Sequence, residues 1–312
     1  MQRFNHILFV SHGVADETEA LKQALSLARN NKAKLTALIV CPEFPKEMSD
    51  YKSKYEASLI QQLETSIQAT CEAIKVTQAD VPVKIEIESG GMPATRIVRH
   101  VLKNDYDMVI KEAEPKESGT GFKAMDMELL RKCPCPVWLC RPISKPRNEM
   151  KIAVAIDPES MAPEGHDLSL GLLELSRFLA DACDGELNII SCWDYEFEEY
   201  LRHNVWIKVA DDELIRTVNE AQSQHRAAVE SLIQKSGIGG KIQVHHVRGR
   251  ADQMIPQHIT DQNIDILVMG TVARAGIPGF VIGNTAENIV QKLECSLLAL
   301  KPSGFVSPVK AN

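Results

Sequence analysis

Short apolar runs alternate along the chain with longer segments in which apolar residues recur every three or four positions. In the first half the runs are HILFVSHG (6–13), KLTALIV (34–40), VPVKIEIESGG (81–91), DYDMVIKEAE (105–114) and RKCPCPVWLCRP (131–142). Runs of this length, bounded by turn residues, predict strands buried on both faces. The segments between them predict helices. Leu21, Ala24, Leu25 and Ala28 mark one helical face, and Leu63, Ile67, Cys71 and Ile74 mark a second. Acidic residues open several of these segments and Gly or Asn closes them, as helix ends prefer.

The pattern then repeats. KIAVAIDP (151–158), ELNIISCW (186–193), GKIQVHHVRGR (240–250), NIDILVMGTV (263–272) and QKLECSLLALKP (291–302) answer the first five runs in the same order. Leu214, Val218, Ala221, His225, Ala228 and Leu232 mark a helix of this half. Such self-similarity indicates a tandem duplication. The joint is RPISKPRNEM, residues 141–150, which is polar, proline-bearing and without periodicity. Residues 1–146 and 150–302 are therefore expected to form two α/β domains in tandem. Each is a doubly wound, five-stranded parallel sheet in a layer of its own, and 303–312 is a tail. A chain carrying both copies is expected to make within itself the contact that single-repeat proteins make as dimers. That predicts an intramolecular pseudo-dimer and a monomer.

Composition narrows the function. The 312 residues carry a net charge of −7, which argues against non-specific nucleic-acid binding. No apolar run approaches the roughly 18 residues of a membrane span, so no membrane role and a cytoplasmic location are expected. The eight cysteines read as reduced, buried thiols. Cys133, Cys135 and Cys140 cluster without a second pair at zinc-site spacing, so no metal is expected.

Residues 263–302 are the most informative stretch: strand, glycine-rich loop, helix, strand. The apolar run at 264–269 stops at Gly270, glycines follow at 276, 279 and 283, and a helix pattern opens at Asn284-Thr285-Ala286-Glu287. Such a loop brings backbone N–H groups and a helix N-terminus to whatever sits above the strand end, commonly phosphate. Candidate binding residues are Gly270, Thr271, Arg274, Gly276, Gly283, Asn284 and Thr285, with Asp157 at the end of KIAVAI. Several have a structural alternative. Gly270 serves a turn, Asn284 or Thr285 caps the helix, and Arg274 is solvated. Asp157 either meets a ribose hydroxyl or adenine amine, or caps the turn at Asp157-Pro158.

Other features are weaker. His225 lies on an apolar helical stripe and reads as a core histidine, while His245 and His246 alternate faces and cannot share one ion. The segment 192–213 holds Trp193, Tyr195, Phe197, Tyr200 and Trp206, and reads as packing between the two halves or as the wall of an apolar pocket. No Ser-His-Asp order, His-Glu-x-x-His or Gly-x4-Gly-Lys-Ser/Thr motif occurs, so no catalytic residues are assigned.

MGTVARAGIPGFVIGNTAENIV with CSLLALKP, and the matching RKCPCPVWLC of the first repeat, resemble the universal stress protein family in its two-domain form. The resemblance covers about 1–302. It implies the adenine-nucleotide alpha-hydrolase-like fold and a stress-response role, with ATP or AMP bound in some members. Those members carry Gly-x-x-Gly, nine residues, then Gly and Ser or Thr, plus an Asp closing the first strand. Gly270, Gly283 and Asp157 match, whereas Ala273 and Asn284 depart. The first repeat has Ser11-His12 at the aspartate and lacks the glycine motif, so its site is degenerate. The expected function is a nucleotide-binding sensor or regulatory module of the second repeat, at most a slow ATPase. The alternatives are an interaction scaffold with protein partners, or a binder of an apolar or acylated metabolite between the domains.

Overall fold

The computed structural model describes residues 4–13, 16–114, 119–159, 163–203, 209–271 and 282–311. The first half runs β1 (His6–Ser11), α1 (Thr18–Asn31), β2 (Lys34–Cys41), α2 (Lys52–Ala73), β3 (Val83–Ser89), α3 (Pro93–Asn104), β4 (Met108–Glu112), α4 (Ala124–Lys132) and β5 (Val137–Cys140). The second runs β6 (Ile152–Ala155), α5 (Pro163–Ala182), β7 (Leu187–Trp193), α6 (Phe197–His203), α7 (Asp211–Ser236), β8 (Ile242–Arg248), α8 (Ala251–Asp261), β9 (Ile266–Gly270), α9 (Asn284–Val290) and β10 (Ser296–Leu300). All ten strands fall on the ten apolar runs. On α7 the buried stripe is Leu214, Val218, His225, Val229 and Leu232, so Val229 takes the place expected of Ala228.

The strand order is β3-β2-β1-β4-β5-β10-β9-β6-β7-β8. Within each half every pairing is parallel, and the order reverses once, between β1 and β4 and again between β6 and β9. Each half is thus a doubly wound α/β sheet, as the alternation requires. The expectation of two separate layers is corrected at the seam. There β5 and β10 pair antiparallel, and the two halves share one sheet. The register matches Leu297 with Leu139, Leu298 with Trp138 and Ala299 with Val137. In the repeat alignment 138 corresponds to 298, so a local twofold axis passes through the Trp138–Leu298 pair. An edge strand with open backbone groups is satisfied by its own duplicate.

Two apolar cores follow from the strand alternation, one on each face of the sheet. Ile7, Phe9, Ile152 and Val154 join α1, α2, α5 and α7 on one face. Leu8, Val10, Ala153 and Leu267 join α3, α4, α8 and α9 on the other. Both cores run through the seam. After β10 the chain returns to the first repeat, where the Ser307 hydroxyl donates to the Lys132 carbonyl at 2.7 Å. The first repeat reaches back through 119–121. Gly121 N–H donates to the Leu293 carbonyl at 2.8 Å, and the Arg141 guanidinium binds the Gly119 and Gly121 carbonyls.

The packed core of the aromatic segment, among its described residues, lies within the second repeat and not between the halves. Trp193, 6% exposed, packs with Leu214 and Val218, with Tyr195, Leu201 and Val209 beside them, all from the second repeat. Trp206 lies outside the described residues.

Edge strand β8 is clasped by histidines on both faces. His246 Nε2 lies 2.9 Å from His225 Nδ1 of α7, and its ring stacks on Trp193. His245 faces the other way, 2.9 Å from Asn188 Oδ1, with its ring 4.2 Å from that of His258 of α8. Burial is the first cause that holds all four imidazoles below the ordinary value of 6.5. As pH falls through 6.5 the unfolded chain takes up these protons before the folded chain does, so the folded state loses stability. The contribution is complete above that pH and declines below it. The urea midpoint is expected to be lower at about pH 5.5 than at about pH 7.5. Replacing both His245 and His258 by Gln should make the decline shallower, and an equally steep decline contradicts the assignment.

Candidate functional site

Beyond the carboxyl ends of β6 and β9, where the strand order reverses, the second repeat opens into a cleft of about 420 Å³. This is where open α/β sheets take ligands, and the volume suits a small molecule. The floor is apolar. Leu168 and Leu172 reach it from α5, Ile255 from α8, Met269 from β9 and Ile289 from α9. Asp157, Glu159, Ser169 and Thr285 supply the polar rim, and Gly270 and Gly283 complete the wall.

Four candidates from the sequence, Asp157, Gly270, Gly283 and Thr285, therefore line one cavity. Asp157 does what the turn reading asked, since its Oδ1 accepts the Glu159 N–H at 3.0 Å, and it lines the cleft as well. At Gly270 a Cβ would lie 2.8 Å from Leu168 Cδ2, so the missing side chain makes room for α5. The Gly283 N–H donates to the Thr271 carbonyl at 3.1 Å, which pins the start of α9 to the end of β9. No side chain caps α9.

Two candidates do not meet in the cleft lining. Thr271 is fully buried behind it, where its hydroxyl accepts a hydrogen bond from Lys301 Nζ at 2.8 Å. Burial pulls that lysine down to about 8. Asn284 is exposed and is not part of the lining. Arg274 and Gly276 lie outside the described residues, as do Ala273 and Gly279.

Glu159, Ser169, Leu168, Leu172, Cys192 and Ile255 were missed as lining residues. The spacing of Leu168 and Leu172 signals only a helix face; that this face lines a cleft depends on the strand order. Cys192 offers no nucleophile, because burial pushes its thiol up to about 11.

The same place in the first repeat is filled from within. The Glu17 carboxylate accepts the Ser11 hydroxyl and, at 2.7 Å, the His12 N–H. A protein carboxylate thus sits where β1 ends. Behind it Lys111 and Asp126, both fully buried, pair at 2.9 Å. Lys111 also donates to the Glu112 carbonyl at 2.7 Å, and Asp126 Oδ2 accepts the Glu114 N–H at 3.0 Å. The Glu112 carboxyl, pushed up to about 7 mainly by burial, accepts the Ala20 N–H at 2.8 Å. The cavity bordered by Ser11 and Glu17 measures about 70 Å³. Among the described residues no group of three or more His, Cys, Asp or Glu is placed to hold a metal. Cys133 and Cys135, with their sulfurs 3.6 Å apart, are free and buried.

Comparisons with known proteins agree with this architecture. The sequence profile described as the Universal stress protein family matches residues 3–141 and again 150–301. Universal stress protein E of Photorhabdus laumondii is 26% identical over 318 residues, covering 100% of this chain and 99% of that protein. Universal stress protein E of Escherichia coli K12 is 27% identical, covering 100% of this chain and 98% of that protein. The crystal structure of a functionally unknown protein from Pseudomonas aeruginosa PAO1 shares the fold with a TM-score of 0.73 at 24% identity, covering 96% of this chain and 94% of that one. Carrying the family's sequence signature twice, on halves that repeat one strand order, the chain belongs to the universal stress protein family in its tandem form.

Proposed function

We propose that this chain is a stress-response module that binds one adenine-type nucleotide, such as ATP or AMP, in the cleft of its second repeat. It acts as a sensor or regulator and not as a fast enzyme. The supporting observation is the cleft itself: Asp157, Gly270, Gly283 and Thr285, from two distant segments, share one cavity at the point where the strand order reverses. The rim offers acceptors and a hydroxyl for ribose and base, and the apolar floor suits an aromatic ring. Residues 1–146 and 150–302 act as unequal domains, the first with its site filled by its own side chains. The protein works as a monomer in the cytoplasm, and no helix among the described residues is long and apolar enough to cross a membrane.

Calorimetry with a fluorescent ATP analogue is expected to give one site per chain. Gly283→Val should weaken binding at least about tenfold, since a branched side chain at the start of α9 takes ligand space. The fold should survive, because Gly283 has φ −58° and ψ 141°, open to any residue. Two equivalent sites, or unchanged affinity in Gly283→Val, contradict the proposal.

A scaffold reading has its own support. Gly270, Asp157 and the Gly283 N–H each have a structural task that needs no ligand. It predicts no nucleotide binding and recovery of a protein partner instead. Native mass spectrometry of the purified chain separates these readings from binding of an apolar metabolite.

A further inference from the structure

Two thiols of the first repeat meet at the amino end of β5. Cys133 and Cys135 flank Pro134 in the bend that joins α4 to β5, and their sulfurs lie 3.6 Å apart. Both belong to the apolar core on the face that carries α3 and α4. Cys140, the third cysteine of this stretch, lies in the core of the opposite face and does not join them. The pair sits shallowly, because Pro134 and Pro136, on either side of Cys135, are half-buried. The hydrogen bond with Cys133, and then burial, pushes the Cys135 thiol well above its ordinary range, so Cys135 keeps its proton and can offer it to the neighbouring sulfur. A cation stands close by. Lys301 is held by the Leu130 carbonyl, three residues before Cys133, and by the Thr271 hydroxyl, and the charge of Cys133 acts on its ammonium. Positive charge beside a thiol favours its attack as thiolate. For Cys192, by contrast, burial is the single cause of the shift.

We propose that Cys133 and Cys135 are a reversible dithiol–disulfide pair that reacts with small hydroperoxides. With hydrogen peroxide, Cys133 Sγ attacks one peroxide oxygen. An S–O bond forms, the O–O bond breaks, and the thiol proton leaves with the displaced hydroxide as water. Cys135 Sγ then attacks the sulfenic sulfur. The S–S bond forms, the S–O bond breaks, and the Cys135 proton leaves with the second hydroxide as water. One peroxide is reduced to two waters while two thiols are oxidised to one disulfide. The sulfurs close from 3.6 Å to about 2.0 Å. Their contact makes the second step intramolecular, which favours the disulfide over further oxidation by a second peroxide.

To test this, the full reduced chain is treated with hydrogen peroxide, alkylated in denaturant and weighed. Its eight cysteines should give eight adducts before treatment and two fewer after it, and dithiothreitol should restore them. Fragmentation of the oxidised peptide should place the link between Cys133 and Cys135. Cys133→Ser and Cys135→Ser should each slow the paired loss at least about tenfold, whereas Cys140→Ser should not. In Cys135→Ser, dimedone should trap a sulfenic acid at Cys133. Survival of all eight thiols in the unsubstituted chain overturns the proposal, as does a link to any other cysteine, and neither result depends on how the variants fold. A paired loss that either serine variant leaves unchanged overturns it as well. Dimedone on Cys135 in Cys133→Ser, with none on Cys133 in Cys135→Ser, overturns Cys133 as the attacking thiol.

Discussion

Replacing Asp126 by Ala is expected to cost about 3–5 kcal/mol of stability, the largest single-residue effect anticipated for this chain. Lys111 and Asp126 are both fully buried, and the pair lies where the second repeat has its cleft. Removing the carboxylate leaves the Lys111 ammonium without its counter-charge, and the Glu114 N–H loses its acceptor. The expected cost comes from stranding these groups, not from the net worth of the pair. A double replacement, Lys111→Met with Asp126→Leu, should therefore recover most of the loss. Urea denaturation of the two variants reads both effects. A loss below about 1 kcal/mol for Asp126→Ala would show that the ammonium finds water or another partner.

The second large effect is expected at Gly121. Its φ is +69°, and a Cβ there would lie 2.5 Å from the Gln291 carbonyl oxygen, a backbone atom of the other repeat. Gly121→Val should cost about 2–4 kcal/mol, from backbone strain together with overpacking. Gly119 provides the control, with φ +73° and no atom within 4 Å of a Cβ. Gly119→Ala should cost only the strain of the left-handed backbone, about 1–2 kcal/mol. Equal costs at the two positions would show that the contact with Gln291 yields. Cost at Gly121 well above that at Gly119 identifies the 119–121 segment as a clasp on the second repeat.

The strands and most helices were legible because their signals are local. A buried strand such as KIAVAI and a helix face such as Leu21, Ala24, Leu25 and Ala28 declare themselves within a few residues. The seam was not, since the antiparallel pairing of 137–139 with 297–299 depends on how two finished sheets meet. The cleft was legible in part. Asp157 and Gly270 end strands, so the doubly wound rule placed them together. The filling of the first repeat by Glu17 was not readable, because Glu17 becomes relevant only when the start of α1 folds over Ser11 and His12. The histidines follow the same division. Alternation along β8 put His245 and His246 on opposite faces, but their partners His258 and His225 come from helices whose placement no local pattern gives.

The seam also bears on how the two halves came to differ. It is made by backbone hydrogen bonds in a register that maps onto itself through Trp138 and Leu298, and it lies along the inner edge of each half. The two strand-reversal points sit one strand further out on either side, between β1 and β4 and between β6 and β9. Substitutions at one reversal point leave the joining strands untouched, and fusion into one polypeptide keeps the partners matched even when their sequences part. One half has an open cleft, while the other holds a buried ion pair and a carboxylate of its own at the same position.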